Sequence, residues 1–195
     1  MILDIIKKFN WVDLLVIFLV IRIVYIATKN GFPVELFKLL GTIAAIFVSL
    51  HYYAMLADLI ASRFLANLVP HRFPLEFLDF LCFLILAVIT YLVFLFLRSM
   101  FFQLVRIEAV SRLNKWGGFI LGTVRAVFLS SLIVFGLAAS SVTYFKNSVS
   151  SSYYGVRLFG VCTKTYTSIW EGFLSKFTNK EHFNKTIQEV EGSLR

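Results

Sequence analysis

Ionisable side chains stand inside the long apolar runs of this sequence, and they are the residues best placed to do chemistry. Arg22, Lys38, Asp79 and Arg125 each interrupt a hydrophobic stretch, and Asp13 opens one. At the centre of a membrane helix such a group costs about 2.5 to 3.5 kcal/mol on insertion scales, so each needs a partner, a wet path or a route to the headgroups. Two kinds of chemistry follow. Charges lining a polar pathway would meet a solute in passage, whereas charges near a helix end would snorkel to lipid phosphates. Catalysis is poorly served. His51, His71 and His182 lack metal-ligand spacing, and no Gly-x-Ser-x-Gly, phosphate loop or paired-carboxylate arrangement occurs. No enzyme, metal or cofactor is therefore expected.

These charges belong to a chain that is 59% hydrophobic and 15% charged, with mean hydropathy +0.82, far from the roughly 25% charged of a soluble domain. The apolar runs are long and continuous, unlike the roughly ten-residue alternating segments of a β-barrel. The pattern specifies an all-α integral membrane protein of the inner-membrane kind, multi-pass, with four transmembrane helices over about 12–27, 35–57, 75–97 and 117–142. Residues 1–142 form the four-helix membrane domain and 143–195 a polar, amphipathic C-terminal tail. Lys7 and Lys8 precede the first span as in a signal peptide. Arg22 interrupts that span, however, and no small-x-small cleavage site stands before Lys29, so it reads as retained.

The joints are short. Thr28-Lys29-Asn30-Gly31-Phe32-Pro33 and the segment 58–74, which holds the other two prolines, should close helical hairpins. Between the third and fourth spans, Phe102, Val105, Ala109, Leu113 and Trp116 recur at helical spacing. This connection reads either as an interfacial amphipathic helix or as an extension of the third span. Ser148 to Ser152 suggests a flexible joint. After it, Phe159, Cys162, Tyr166, Ile169, Phe173 and Phe177 form a second amphipathic stripe near Trp170, to lie on the membrane surface or pack under the bundle. Beyond Thr178 the chain reads as polar and frayed. Cys82 and Cys162 are too few and too differently placed for a disulfide framework.

The net charge of +8 points to anionic lipid headgroups rather than nucleic acid, since basic residues near membrane helix ends report orientation. Arg22, Lys38, Arg98 and Arg125 fall toward the first and third joints, with Lys29, Arg106, Arg112 and Lys115; Asp13, Asp58 and Asp79 fall toward the other face. By the positive-inside tendency, the first and third joints are cytoplasmic and both termini outside. Counting back from the third joint sets Thr90 and Tyr91 level with Arg125. Asp79 lies about ten residues further on, roughly 15 Å away, which argues against an Asp79–Arg125 pair. Snorkelling is the expectation for both Arg125 and Arg22.

Small residues supply the packing signal. Gly118-x-x-x-Gly122, continued by Gly136, Ala139 and Ser140, allows close helix approach, and the second span carries a matching stripe of Glu35, Lys38, Gly41, Thr42, Ala45 and Ser49. These two faces are expected to pack together; the alternative is that the stripe lines a polar pathway with Lys38, Arg125 and Asp79.

Two segments carry a resemblance. Asn10-Trp11-Val12-Asp13-Leu14 with the Lys29-Asn30-Gly31-Phe32 turn, and Leu113-Asn114-Lys115 leading into Gly118-x-x-x-Gly122-x-x-Arg125, resemble the colicin V production protein (CvpA) family. The likeness covers roughly Asn10 to Ser141, with the tail from Val142 outside it, and Pro33-Val34 departs from the family's usual run. The resemblance implies a small bacterial inner-membrane protein needed for toxin production or export and linked to envelope integrity. It carries over no catalytic residue. Asp13, Gly31, Gly118, Gly122 and Arg125 are named as motif positions. The resulting expectation is a non-enzymatic accessory or scaffold whose partners are the bilayer, a further copy of the chain, or envelope and export proteins. The rival is an oligomeric small-solute transporter or channel.

Overall fold

The computed structural model describes residues 9–65, 75–104, 111–140, 142–172, 174–176, 183–184 and 186–192. Among these residues the chain is helical, without strands. Four long helices dominate: α1 (Trp11–Asn30), α2 (Phe32–Ile60), α3 (Leu75–Leu104) and α4 (Ser111–Ala139). Each is long and apolar enough to cross a bilayer, since about 20 residues span the roughly 30 Å hydrocarbon core.

Local chemistry sets the helix ends. Asn10 caps α1: its side chain accepts the Val12 N–H at 2.8 Å, and Asp13 returns the bond by accepting the Asn10 N–H at 3.0 Å. This capping box satisfies otherwise orphaned donors. At the far end Gly31 adopts φ 80° and ψ 170°, a conformation that favours glycine, and Pro33 follows in the first turn of α2 where its missing N–H costs nothing.

The helices do not pair as sequence neighbours. The hairpin expected from α1 and α2 is not a packed pair: α4 packs extensively against both, while α1 and α2 scarcely touch. The Gly31 joint turns α2 away from α1, and the small residues of α4 fill the opening. On its other side α2 packs against α3. The outer faces of α1 and α3 leave Leu14, Phe18, Ile21, Leu92 and Phe96 exposed, as bilayer-facing helices must.

Of the connections, one follows the second of its two expected readings and one departs from expectation. Arg98 to Leu104 continue α3 and Ser111 to Trp116 begin α4, so these residues extend the two spans, for want of a breaker to end either helix. The rest of the expected interfacial helix, 105–110, lies outside the described residues. Ser148 to Ser151 are helical, within α5 (Thr143–Ser151), rather than a flexible joint. The Ser148 hydroxyl both donates to the Tyr144 carbonyl at 2.8 Å and accepts from Trp11 Nε1 at 3.0 Å, which fixes it.

The tail packs on the bundle. In α6 (Gly155–Gly172) the residues Phe159, Cys162, Tyr166 and Trp170 are buried against α4 and α2. Phe159 stacks on Phe135 at 5.4 Å. His51 of α2 lies among Phe47, Tyr166 and Trp170, with Nδ1 2.9 Å from the Tyr166 hydroxyl. Phe173 and Phe177 lie outside the described residues. Thr186–Gly192 forms α7, with Ile187 buried; over this stretch the expected frayed end is replaced by a helix docked beside Tyr166, whose hydroxyl accepts the Asn184 N–H at 3.2 Å.

Candidate functional site at the basic end of the bundle

The first and third joints meet at one end of the bundle. Asn114, at the start of α4, accepts the Phe32 N–H through its side-chain oxygen at 2.7 Å and so caps α2 from across the molecule. A Cβ on Gly118 would stand 2.6 Å from the Ala27 carbonyl oxygen, and one on Gly122 would strike the Ala27 methyl. Gly31 and Gly117 are as crowded, by the Asn114 side chain and the Phe32 ring. Contact this close is what the Gly-x-x-x-Gly spacing permits.

The small face of α4 therefore serves α1 first, at Ala27, and reaches the α2 stripe it was expected to meet at Glu35, whose Oε2 would lie 3.9 Å from a Cβ on Gly122. Gly41 of that stripe faces α3, where its Cβ would lie 2.7 Å from Phe94 Cβ, and Gly136 faces Phe83. The stripe is divided because α2 sits between two partners. Glu35, Thr42, Ala45 and Ser49 are buried, and Lys38 is half-buried.

Close approach brings charges together. Arg125, 5% exposed, sets Nε 2.9 Å from Oε2 of the fully buried Glu35. Glu35 Oε1 accepts from Asn30 Nδ2 at 2.7 Å and from Lys38 Nζ at 3.3 Å. Arg125 Nη1 reaches the Tyr91 hydroxyl at 3.4 Å, the residue expected to lie level with it. The snorkelling expectation for Arg125 is thus corrected. Glu35, on the adjacent helix rather than across the hairpin, receives its guanidinium, and bending toward the headgroups would forfeit that pair. Arg22 is exposed on α1 and has no ion pair among the described residues. Asp79 is half-buried toward the other end of α3 and is not the partner of Arg125.

Asp13 lies at the opposite end and is fully buried. Besides the Asn10 N–H it accepts the Ser152 hydroxyl at 2.7 Å and the N–H groups of Tyr153 and Tyr154 at 3.3 and 2.8 Å. The Asn10 amide also donates to the Ser148 carbonyl. The carboxylate that starts α1 thus fastens the tail. Nothing in the local sequence around Asp13 names Ser152 as its partner.

The profile of the colicin V production protein family matches residues 12–158. The chain belongs to that family. Neither a curated protein nor a solved structure matches it. The family match extends past the Val142 limit of the sequence resemblance and takes in Ser152 to Tyr154, the partners of Asp13. As a colicin V production family member, the chain is a multi-pass membrane protein in which the Gly31 turn of the first motif segment meets Asn114 and Gly118 of the second at the basic end, beside the Glu35–Arg125 pair.

Proposed function

We propose that this chain is a non-enzymatic scaffold of the bacterial inner membrane, an accessory to toxin production or export and to envelope maintenance. The observation that carries the reading is the Asp13 clamp. A buried carboxylate with four hydrogen bonds, three of them from Ser152 to Tyr154, holds the tail as a fixed surface against the bundle. Fixed surfaces suit docking of a partner. The Glu35–Arg125 pair supports the same reading, since it closes a helix contact rather than facing a water path.

The test is toxin release from a producing strain. Asp13→Ala should leave the protein inserted at normal abundance, free the tail to protease, and lower release. The transport rival makes a different forecast: Arg125→Gln would abolish solute flux in reconstituted vesicles while the protein still assembles. Wild-type flux that this variant abolishes would replace the scaffold reading.

A further inference from the structure

The basic end of the bundle holds more positive charge than its carboxylate can balance. Glu35 faces both Lys38 and Arg125, and Arg98 of α3 lies within electrostatic range of Lys38 with no ion pair among the described residues. Among the described residues Glu35 is the only carboxylate set against these three cations. An unbalanced charge within a bilayer costs several kcal/mol unless an anion or water meets it.

Arg125 is also short of acceptors. A guanidinium carries five N–H donors; Nη1 donates to the Tyr91 hydroxyl at 3.4 Å, while Nε, although 2.9 Å from Glu35 Oε2, is buried without a hydrogen bond among the described residues, as is that carboxylate oxygen.

Beside this cluster an apolar groove of about 310 Å³ runs between α3 and α4, floored by Thr42 and Ala45 of α2 and walled by Phe83, Tyr91, Leu132 and Gly136 among others. Its volume is at the lower end of the range for small-molecule sites. The groove persists because α3 rests mainly on α2 and touches α4 little. Tyr91 joins the two features, lining the groove while its hydroxyl receives Arg125.

We propose that this is a binding site for one acidic phospholipid, with its phosphate at Lys38, Arg98 and the unfilled edge of Arg125 and one acyl chain along the groove. An apolar slot ending in surplus cations is complementary to an anionic head on a hydrocarbon chain. From Arg98 to Tyr91, at the near part of the groove, is roughly 10 Å along α3, within the about 15 Å of one leaflet's hydrocarbon; the walls at Phe83 and Phe80 continue past that depth. The inference is independent of the scaffold reading and of which face is cytoplasmic.

The experiment is native mass spectrometry of the full chain, delipidated in mild detergent and titrated with dioleoylphosphatidylglycerol, dioleoylphosphatidylcholine or oleate. One phosphatidylglycerol should bind per chain, at least tenfold tighter than phosphatidylcholine. Arg98→Gln, which leaves the Glu35 pair intact, should weaken phosphatidylglycerol about tenfold, close to 1.4 kcal/mol, without changing the melting temperature of lipid-free protein. Ala87→Trp, which fills the groove, should remove binding of both lipids. If Ala87→Trp fails to fold, Arg98→Gln still decides the matter. Equal binding of the two phospholipids, or no effect of Arg98→Gln, would mean ordinary boundary lipid and overturn the proposal. Preference for oleate, or a second copy of the chain occupying the groove in place of lipid, would overturn it too.

Discussion

Replacing Glu35 by glutamine should damage the fold more than replacing Arg125 by glutamine, although the two residues form one ion pair. The reason is the third member. Glu35 accepts from Asn30 at 2.7 Å and from Lys38 at 3.3 Å and pairs with Arg125 at 2.9 Å, while its own exposure is nil. Glu35→Gln leaves two cations facing each other without a carboxylate, and losing one side of a buried pair costs about 3–5 kcal/mol. Arg125→Gln leaves Glu35 still matched by Lys38 and removes an ion contact that carries no hydrogen bond, so the loss is smaller, about 1–3 kcal/mol, that of one buried group left unsatisfied. The assay is equilibrium unfolding in mixed micelles, followed by tryptophan fluorescence. The double variant Glu35→Gln/Arg125→Gln should be less destabilised than the sum of the singles, since pairs in direct contact couple by about 0.5–3 kcal/mol. An Arg125→Gln variant as unstable as Glu35→Gln, or strict additivity, would refute the argument that Lys38 stands in as the second cation.

Further outcomes follow from the close contacts and the tail. Gly122→Ala should destabilise by about 1–3 kcal/mol through overpacking and be rescued by Ala27→Gly, because the obstacle is the Ala27 methyl; Gly118→Ala meets the Ala27 carbonyl instead and should not be rescued. Melting curves of the four proteins check both statements. Burial pushes the Cys162 thiol well above its ordinary range, so folded protein should resist maleimide at neutral pH. The sign for stability follows: a raised folded value means the contribution is complete below the unfolded thiol's pKa of about 8.5 and declines as pH rises beyond it. Alkaline melts of wild type and Cys162→Ala measure the difference. Single cysteines at Lys115 and Lys180, in a background without Cys82 and Cys162, test orientation from the periplasm: labelling at 180 alone agrees with outside termini, and labelling at 115 alone inverts the assignment.

Composition and run length made the four spans legible, because bilayer thickness fixes how much apolar helix is needed and little else competes with that signal. Helix adjacency was not legible. Gly-x-x-x-Gly in α4 announced a close partner, but nothing in the spacing says whether Ala27 or Gly41 is opposite; that depends on the Gly31 backbone conformation, which opens the gap between α1 and α2. The partner of Arg125 was hidden by the same uncertainty. Glu35 stands in the right stripe and at the right depth, but counting along the α3–α4 hairpin finds Thr90 and Tyr91 and leads away from α2. Ser148 to Ser152 misled for a different reason: serine runs read as flexible when their hydroxyls face water, and here Trp11, Asn10 and Asp13 engage those of Ser148, Ser151 and Ser152.

The two parts of the first motif segment, Asp13 and the Gly31 turn, have separate tasks. At one end of α1 the Gly31 joint is held by Asn114, Gly118 and the Glu35–Arg125 pair; at the other, Asp13 holds Ser152 to Tyr154. Helix α1 is therefore tied at both ends to segments distant in sequence, although its outer face meets lipid. Both ties fall within residues 12–158, the stretch matched by the family profile. The contact of His51 with Tyr166, and of Asn184 with the Tyr166 hydroxyl and the Leu50 carbonyl, uses residues beyond that stretch. The tail thus divides physically into a proximal clamp, which completes the bundle, and a distal helix laid over the clamped frame. If the distal part serves partner choice, exchanging residues 159–195 for another member's tail should change which protein is captured while leaving the thermal stability of the four spans near its original value. A large loss of stability would instead make Tyr166 and its neighbours part of the common frame.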